Sequence, residues 1–222
     1  MASFEAKQSE VTVAGGAASM LRERILSGDL APGQRLIEAD LTAEFAISRS
    51  ALREAFIQLS AEGLVELRHQ RGAAVTRLTR EDMAELFAVR ERLEGFAAFL
   101  AAQRVDAPGN REWLEAQRAN WLRSEMLQNE CTHLDDNIPF HEGVARLGGN
   151  DRLIEILRRL QVPAYRLKFL KVLTEERRQE SVEDHVMVID AILAGDAEKA
   201  EEMMRLHVKR TGELAQQIDG LS

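Results

Sequence analysis

From Thr79 to Ile218 the apolar residues recur at helical spacing, and no convincing strand pattern interrupts them. Spacing of i, i+3, i+4 and i+7 puts such residues on one stripe of an α-helix, so most of the chain is committed to helices that bury their stripes against one another. Thr79 with Asp82 is a capping-box signature that opens a long helix to about Arg104, where "VDAPGN" breaks it. Further helices are expected near Arg111 to Leu127, Cys131 to Leu147, Asp151 to Leu173, Glu175 to Ala194 and Ala197 to Ile218. Gly148-Gly149-Asn150 and Gly195-Asp196 supply the stop and start signals between them. The expectation for residues 79–222 is an all-α bundle.

The first part of the chain reads differently. Residues 1–16 are polar and aperiodic and predict a flexible arm. Ala17 to Ser27 predicts a helix carrying Met20, Leu21 and Ile25 on one side, ended by Gly28, and "LAPGQRL" predicts a turn. Two short helices follow, Glu38 to Phe45 and a second beginning at Ser48, joined by the tight link "AI". Ser48 suits an N-cap because its hydroxyl can accept from a free backbone N–H. Leu52, Ala55, Phe56 and Leu59 form the inward face of the second helix, and Arg49, Ser50 and Arg53 lie on the opposite face of its first turns. Beyond Gly63, "LVELR" and "AAVTRL" predict two strands around "HQRG", a β-hairpin with Arg71 and Gly72 at its tip. This is the order of a winged helix-turn-helix, here over residues 17–78, a module that presents its second motif helix to the major groove. The fold class expected for the whole is mainly α.

A formal net charge of −8 argues at first against a nucleic-acid partner. The charge is uneven, however. Residues 1–78 carry 9 Lys+Arg against 10 Asp+Glu, and the remaining residues carry 20 against 27, so the acidity belongs mostly to the helical part. Arginines at the start of the second motif helix can form paired hydrogen bonds to guanine and neutralise phosphate, although Arg49 and Arg53 can equally be solvated or paired with Glu44 or Glu54. The longest apolar stretches fall short of the roughly 20 residues needed to cross a bilayer, and the N-terminus has neither a basic nor an apolar leader segment. A soluble, cytoplasmic protein is expected, with no membrane partner. A single cysteine, Cys131, cannot form an internal disulfide, which fits a reducing compartment and a small core residue.

The segment "LAPGQRLIEADLTAEFAISRSALREAFIQLSAEGLVELRHQRGAAV" resembles the GntR family of bacterial transcription regulators. That family's pattern runs PG-x-x-L, VSR-x-x-x-REAL, L-x-x-x-GLV and a basic G-x-x-V wing, and the match covers about residues 17–77. The resemblance implies DNA contacts at Ser48, Arg49, Ser50, Arg53 and the wing-tip Gly72, with Arg35 and Arg71 on phosphates. An arginine that some members carry between the two acids of the first motif helix is replaced here by Ala39, so that contact is expected to be absent.

The helical part carries three histidines on apolar stripes: His141 with Ile138, Val144 and Ala145; His185 with Val182, Val186 and Ile189; His207 with Met203, Met204, Thr211 and Leu214. One such histidine is ordinarily a hydrogen-bonded core residue. Here His185 lies 10 residues before Gly195 and His207 lies 12 after it, so at 1.5 Å per residue both sit roughly 15 to 18 Å from the turn, level with each other in an antiparallel pair. A third imidazole from the helix of His141 completes a face for a divalent ion, with zinc the first choice and nickel or manganese the alternatives. Arg90 occupies the stripe Met83, Leu86, Arg90, Leu93, Ala97 and Leu100. It either pairs with Glu94 or clamps the carboxylate of a small-molecule effector.

The pieces "VRERLEGFAAFLAA", "FHEGVARLGGN" and "DHVMVIDAILAGDAEKAEEMMRLH" resemble the FCD ligand-binding domain of the FadR-type branch of the same family. In metal-containing members an acidic residue four positions before the first histidine joins three histidines, and a carboxylate effector often completes the site. Carried over, the set is His141, His185 and His207 with Asn137 in the place of the commoner aspartate. Pro139 disfavours helical dihedrals at Ile138 and predicts a kink or a helix start, and a kink would let Asp136 replace Asn137 as the oxygen ligand. No Gly-rich phosphate loop, nucleophile constellation or general base in a recognisable motif is present, so no catalytic residue is assigned and no enzyme is expected. The reading that results is a regulator, expected to be a repressor of transcription, binding a pseudo-palindromic double-stranded DNA operator as a homodimer under control of a small carboxylate effector. The alternatives are a helical part that only dimerises and a three-histidine metalloenzyme fused to a DNA-binding module.

Overall fold

The computed structural model describes residues 2–68, 72–77, 79–123, 130–161, 169 and 172–218. The chain divides into two compact units at residues 78 and 79. In the first, α1 (Ala2–Ser27), β1 (Arg35–Leu36), α2 (Glu38–Phe45), α3 (Arg49–Ala61), β2 (Val65–Arg68) and β3 (Gly72–Val75) follow in that order. The second holds α4 (Arg80–Gln103), α5 (Asn110–Trp121), α6 (Glu130–Gly148), α7 (Asp151–Arg159), α8 (Glu175–Leu193) and α9 (Ala197–Ala215).

In the first unit, Ala18, Leu21 and Ile25 of α1 pack with Leu41 of α2, with Leu52, Ala55, Phe56 and Leu59 of α3, and with Leu64, Val65, Ala73 and Val75 around the wing. The Arg22 guanidinium donates to both Glu62 oxygens at 2.6 and 2.8 Å, which ties α1 to the end of α3. The sheet is antiparallel in the order β1-β3-β2, with Leu36 opposite Ala73 and Arg68 opposite Gly72. β1 was hidden in sequence because two residues are too few to show a period.

Two boundaries differ from the sequence reading. The arm expected at residues 1–16 is instead part of α1, which begins at Ala2 and not at Ala17. Ala14, Ala17 and Ala18 are buried, and small residues that pack closely carry a helix without the large apolar stripe that periodicity detects. The second difference is at Pro139, where α6 runs unbroken. Proline removes one backbone donor, and with Pro139 on the exposed face of a 19-residue helix that loss is tolerated.

In the second unit α4 packs along α9 and against α6, α7 and α8, while α8 packs on α5 and α9. The Thr79 hydroxyl accepts from the Asp82 N–H at 3.0 Å and the Asp82 carboxylate accepts from the Thr79 N–H at 2.7 Å, completing the capping box. Gly212 and Gly95 allow the close approach of α4 and α9: a Cβ at Gly212 would lie 2.7 Å from Phe87, and one at Gly95 would lie 2.5 Å from Arg205. α7 ends at Arg159 and α9 at Ala215, both short of the ends expected from the pattern. Among the described residues no helix is long and apolar enough to cross a membrane.

Candidate metal centre and DNA-reading surface

Ser48 caps α3 with its hydroxyl accepting from the Ala51 N–H at 3.1 Å, and its Oγ lies 2.9 Å from that of Ser50. Arg49 and Arg53 are exposed on the first turns of α3. Arg53 donates to the two carboxylate oxygens of Glu38 at 3.1 and 3.2 Å, so it is pre-positioned by α2 and not by Glu44 or Glu54. The link between the helices turns at Ala46, whose φ of 52° is in the left-handed region. Arg35 is exposed in β1, and Gly72 opens β3 with a φ of 80°. Arg71 lies outside the described residues, as does the Cys131 side chain.

The second unit brings His141 of α6, His185 of α8 and His207 of α9 together, with one ring nitrogen of each within 4.8 Å of the others. Behind each ring an oxygen atom stands near Nδ1. The Nδ1 of His185 donates to the Ser181 carbonyl at 2.6 Å. His141 Nδ1 lies 2.5 Å from Glu94 Oε2, and His207 Nδ1 lies 3.6 Å from Asp184 Oδ2. The Nε2 atoms turn inward, and those of His141 and His207 face each other at 3.3 Å. Asn137, one helical turn before His141, has its amide nitrogen 3.3 Å from His185 Nε2. A half-turn of that amide puts its carbonyl oxygen in the same place. Asp136 faces elsewhere, accepting from the Asn120 amide at 3.0 Å with Arg123 at 3.9 Å.

Burial lowers the pKa of His185 well below the ordinary value, and the nearby His207, His141 and His133 push the same way. Burial also lowers that of His207, against the opposing pull of Asp184. Both rings are therefore neutral at pH 7, the form in which imidazole ligates a metal. Glu94 is buried too, which pushes its carboxyl up, but Arg90 and His141 outweigh burial and hold it well below the usual carboxylate range. Arg90 reaches Glu94 through Nε and Nη2, both at 2.8 Å, and its guanidinium carbon lies 4.8 Å from the centre of the Phe87 ring. It also lines a pocket beside His141 with Glu142, Ala145, Ile154, Leu157, Arg158 and Gln161.

Pattern reasoning named Glu94 only as a pair partner for Arg90, and it passed over Asp184 and the buried His133. A glutamate four residues after an arginine reads as a solvated pair on any helix. The one available signal was that Arg90 lies on an apolar stripe, where its partner must be buried with it.

The donor set fits a divalent cation. Metal–nitrogen bonds of about 2.0–2.1 Å at tetrahedral angles place ligand nitrogens about 3.4 Å apart, close to the 3.3 Å between His141 and His207. Inward Nε2 atoms with their Nδ1 atoms bonded to carboxylate or carbonyl oxygen are the usual support of histidine ligands.

Comparison with known proteins agrees with both units. The model of bacterial regulatory proteins of the gntR family matches residues 14–75, and that of the FCD domain matches residues 85–210. The HTH-type transcriptional repressor GlaR of Escherichia coli K12 is 30% identical over 200 residues, covering 85% of this chain and 89% of its own. A probable D-xylose utilization operon transcriptional repressor of Paenarthrobacter nicotinovorans is 28% identical over 202 residues, covering 89% of this chain and 86% of its own. Among solved structures, a putative GntR transcriptional regulator from Rhodococcus sp. RHA1 is 25% identical with a TM-score of 0.61, covering 91% of this chain and 96% of its own. These relatives are transcription regulators and not enzymes. With a capped second motif helix in its first unit and its second matched almost end to end, the chain belongs to the gntR family of DNA-binding bacterial regulators that carry an FCD domain.

Proposed function

We propose that this regulator binds a pseudo-palindromic operator as a homodimer, through Ser48, Arg49, Ser50 and Arg53 on α3, with Arg35, Arg71 and Gly72 on the backbone. Twofold protein symmetry then matches twofold half-sites. Its operator binding is controlled by a small organic acid held at or beside a divalent ion, zinc before nickel or manganese. His141, His185, His207 and Asn137 hold that ion. The observation that carries the reading is the pair of inward Nε2 atoms 3.3 Å apart in a buried site. Two lone pairs at that distance repel unless a proton or a cation lies between them. Such an ion supplies a Lewis-acidic centre with open positions for a ligand.

The charge balance favours an anionic effector. Glu94 is neutralised by Arg90, and Asp184 by Arg210 at 2.5 Å. Three imidazoles and an amide add nothing, so a bound divalent ion leaves two positive charges in a site where uncompensated charge is costly. A carboxylate ligand removes that cost, and a small pocket bounded by Arg90, Arg158 and Gln161 lies beside His141. GlaR and the D-xylose relative are described as repressors, which supports repression as the mode of action. Action on chromosomal DNA places the protein in the bacterial cytoplasm.

Metal analysis of the purified protein, sedimentation of its oligomer, and thermal melting with Zn(II) and with a panel of small carboxylates test this reading. One ion per chain, a dimer, and a carboxylate that raises the melting temperature only when Zn(II) is bound are expected. Asn137→Asp supplies the missing charge, so it raises Zn(II) affinity roughly tenfold and shrinks the carboxylate effect. Absence of metal uptake together with absence of any stabilising carboxylate would reduce the second unit to a dimerisation module.

A further inference from the structure

A fourth histidine, His133, lies two helical turns before His141 on α6 and is 2% exposed. Its Nε2 is 3.1 Å from the Ser181 hydroxyl. Ser181 stands one turn before His185 on α8, and it meets His185 twice: its carbonyl accepts from Nδ1 at 2.6 Å, and its Oγ lies 3.4 Å from the same nitrogen. Trp121 of α5 stacks on the His185 ring with centroids 3.9 Å apart and planes 7° apart. The His133 ring meets the Trp121 ring edge-on at 5.3 Å. His133 therefore touches both groups that hold His185, one through a hydrogen bond and the other through ring packing.

The Ser181 carbonyl already decides which His185 nitrogen carries the proton. A single bond leaves the ring free to swing about it, and a swing moves Nε2 away from His207 and Asn137. Stacking on Trp121 sets the plane of the ring, and the hydroxyl anchored by His133 opposes rotation within that plane. If only volume mattered at so buried a position, an apolar side chain would fill it without the cost of desolvating an imidazole.

We propose that His133 is a positioning residue for His185, acting through Ser181 and Trp121 to keep Nε2 aimed into the three-histidine site. The inference rests on the cation-binding reading of that site. Zn(II) affinity is measured by competition with a chromophoric chelator for wild type, His133→Leu, His133→Gln, Ser181→Ala and the Ser181→Ala/His133→Leu double variant. His133→Leu weakens binding about 10- to 100-fold, the range found when outer partners of metal ligands are removed. His133→Gln, which restores a hydrogen-bonding group, recovers most of the loss. The double variant is less impaired than the product of the two single effects, because both remove the hydroxyl bridge.

Nitrogen-15 spectra of the metal-free protein provide a readout that needs no ion. In wild type the His185 ring shows one tautomer, protonated at Nδ1, and His133→Leu introduces exchange broadening or the second tautomer. A protein that takes up no Zn(II) but shows this spectral change refutes the metal reading and keeps the positioning role. Wild-type Zn(II) affinity together with an unchanged His185 spectrum in His133→Leu overturns the proposal. Should His133→Leu fail to fold, Ser181→Ala, which retains the backbone carbonyl, decides by the same two measurements.

Discussion

The two units carry their functional residues in opposite ways. In the first, the candidate contacts fall within a short stretch, Arg35 to Gly72, and those among the described residues stand exposed at the start of α3 and on β1 and β3. In the second, the residues that converge extend from Glu94 to His207 on α4, α6, α8 and α9, and His185, His207, Glu94 and Asp184 are buried. A surface that meets a large, regular partner needs donors at fixed positions along one helix, which local sequence can specify. A site that encloses an ion or small molecule needs donors from several directions, and only packing brings those together.

The sharpest way to break this contrast is to remove one interior ligand. His207→Ala deletes one of three nitrogen donors, and with apparent zinc binding energies of about 10–16 kcal/mol shared among a ligand set, Zn(II) affinity falls by at least about 100-fold. Chelator competition reads the loss, and wild-type affinity would remove His207 from the site. Next in size, Arg49→Ala on the exposed helix weakens operator binding by about 1–3 kcal/mol and leaves Zn(II) affinity unchanged. Fluorescence anisotropy with an operator selected from random duplexes measures the first, and a parallel metal titration measures the second. Equal affinity for the selected operator would take Arg49 off the reading surface.

The smallest expected effect concerns pH. His185 and His207 have folded-state pKa values below the unfolded one. On acidification through the unfolded value of about 6.5 the unfolded chain binds protons that the folded chain refuses, so stability falls as pH drops and is fully present above that value. The metal-free protein therefore melts at lower temperature at pH 5 than at pH 7.5. A melting temperature that rises on acidification would contradict neutral, buried rings.

Much of the first unit was legible. α2 was expected at Glu38 to Phe45 and is found there, and the Ser48 cap followed from a hydroxyl preceding a periodic run. The Arg53–Glu38 pair was not legible, since the helices cross in space and are separated by a turn in sequence. In the second unit the apolar stripes identified three of its four histidines, His141, His185 and His207. His133 escaped because the residues three and four positions away, Asn129, Glu130, Asp136 and Asn137, are polar, while its neighbours in space are Trp121, Ser181 and His185. Glu94 was legible as a partner of Arg90, but its second partner was not, because His141 stands on another helix.

Sequence by itself determined the helical periods, the caps, the two-unit pattern, the family and the inward stripes of His141, His185 and His207, because each depends on residues a few positions apart. Tertiary structure decided which atoms those stripes present to one another. It turned Asn137 toward His185 and Asp136 toward Asn120, gave the Arg90 guanidinium to Glu94, and aimed Nε2 of His185 inward by bonding its Nδ1 to the Ser181 carbonyl. Which nitrogen faces a site is set by the hydrogen bond its opposite makes, and those partners lie on helices distant in the chain or one turn away on the same helix.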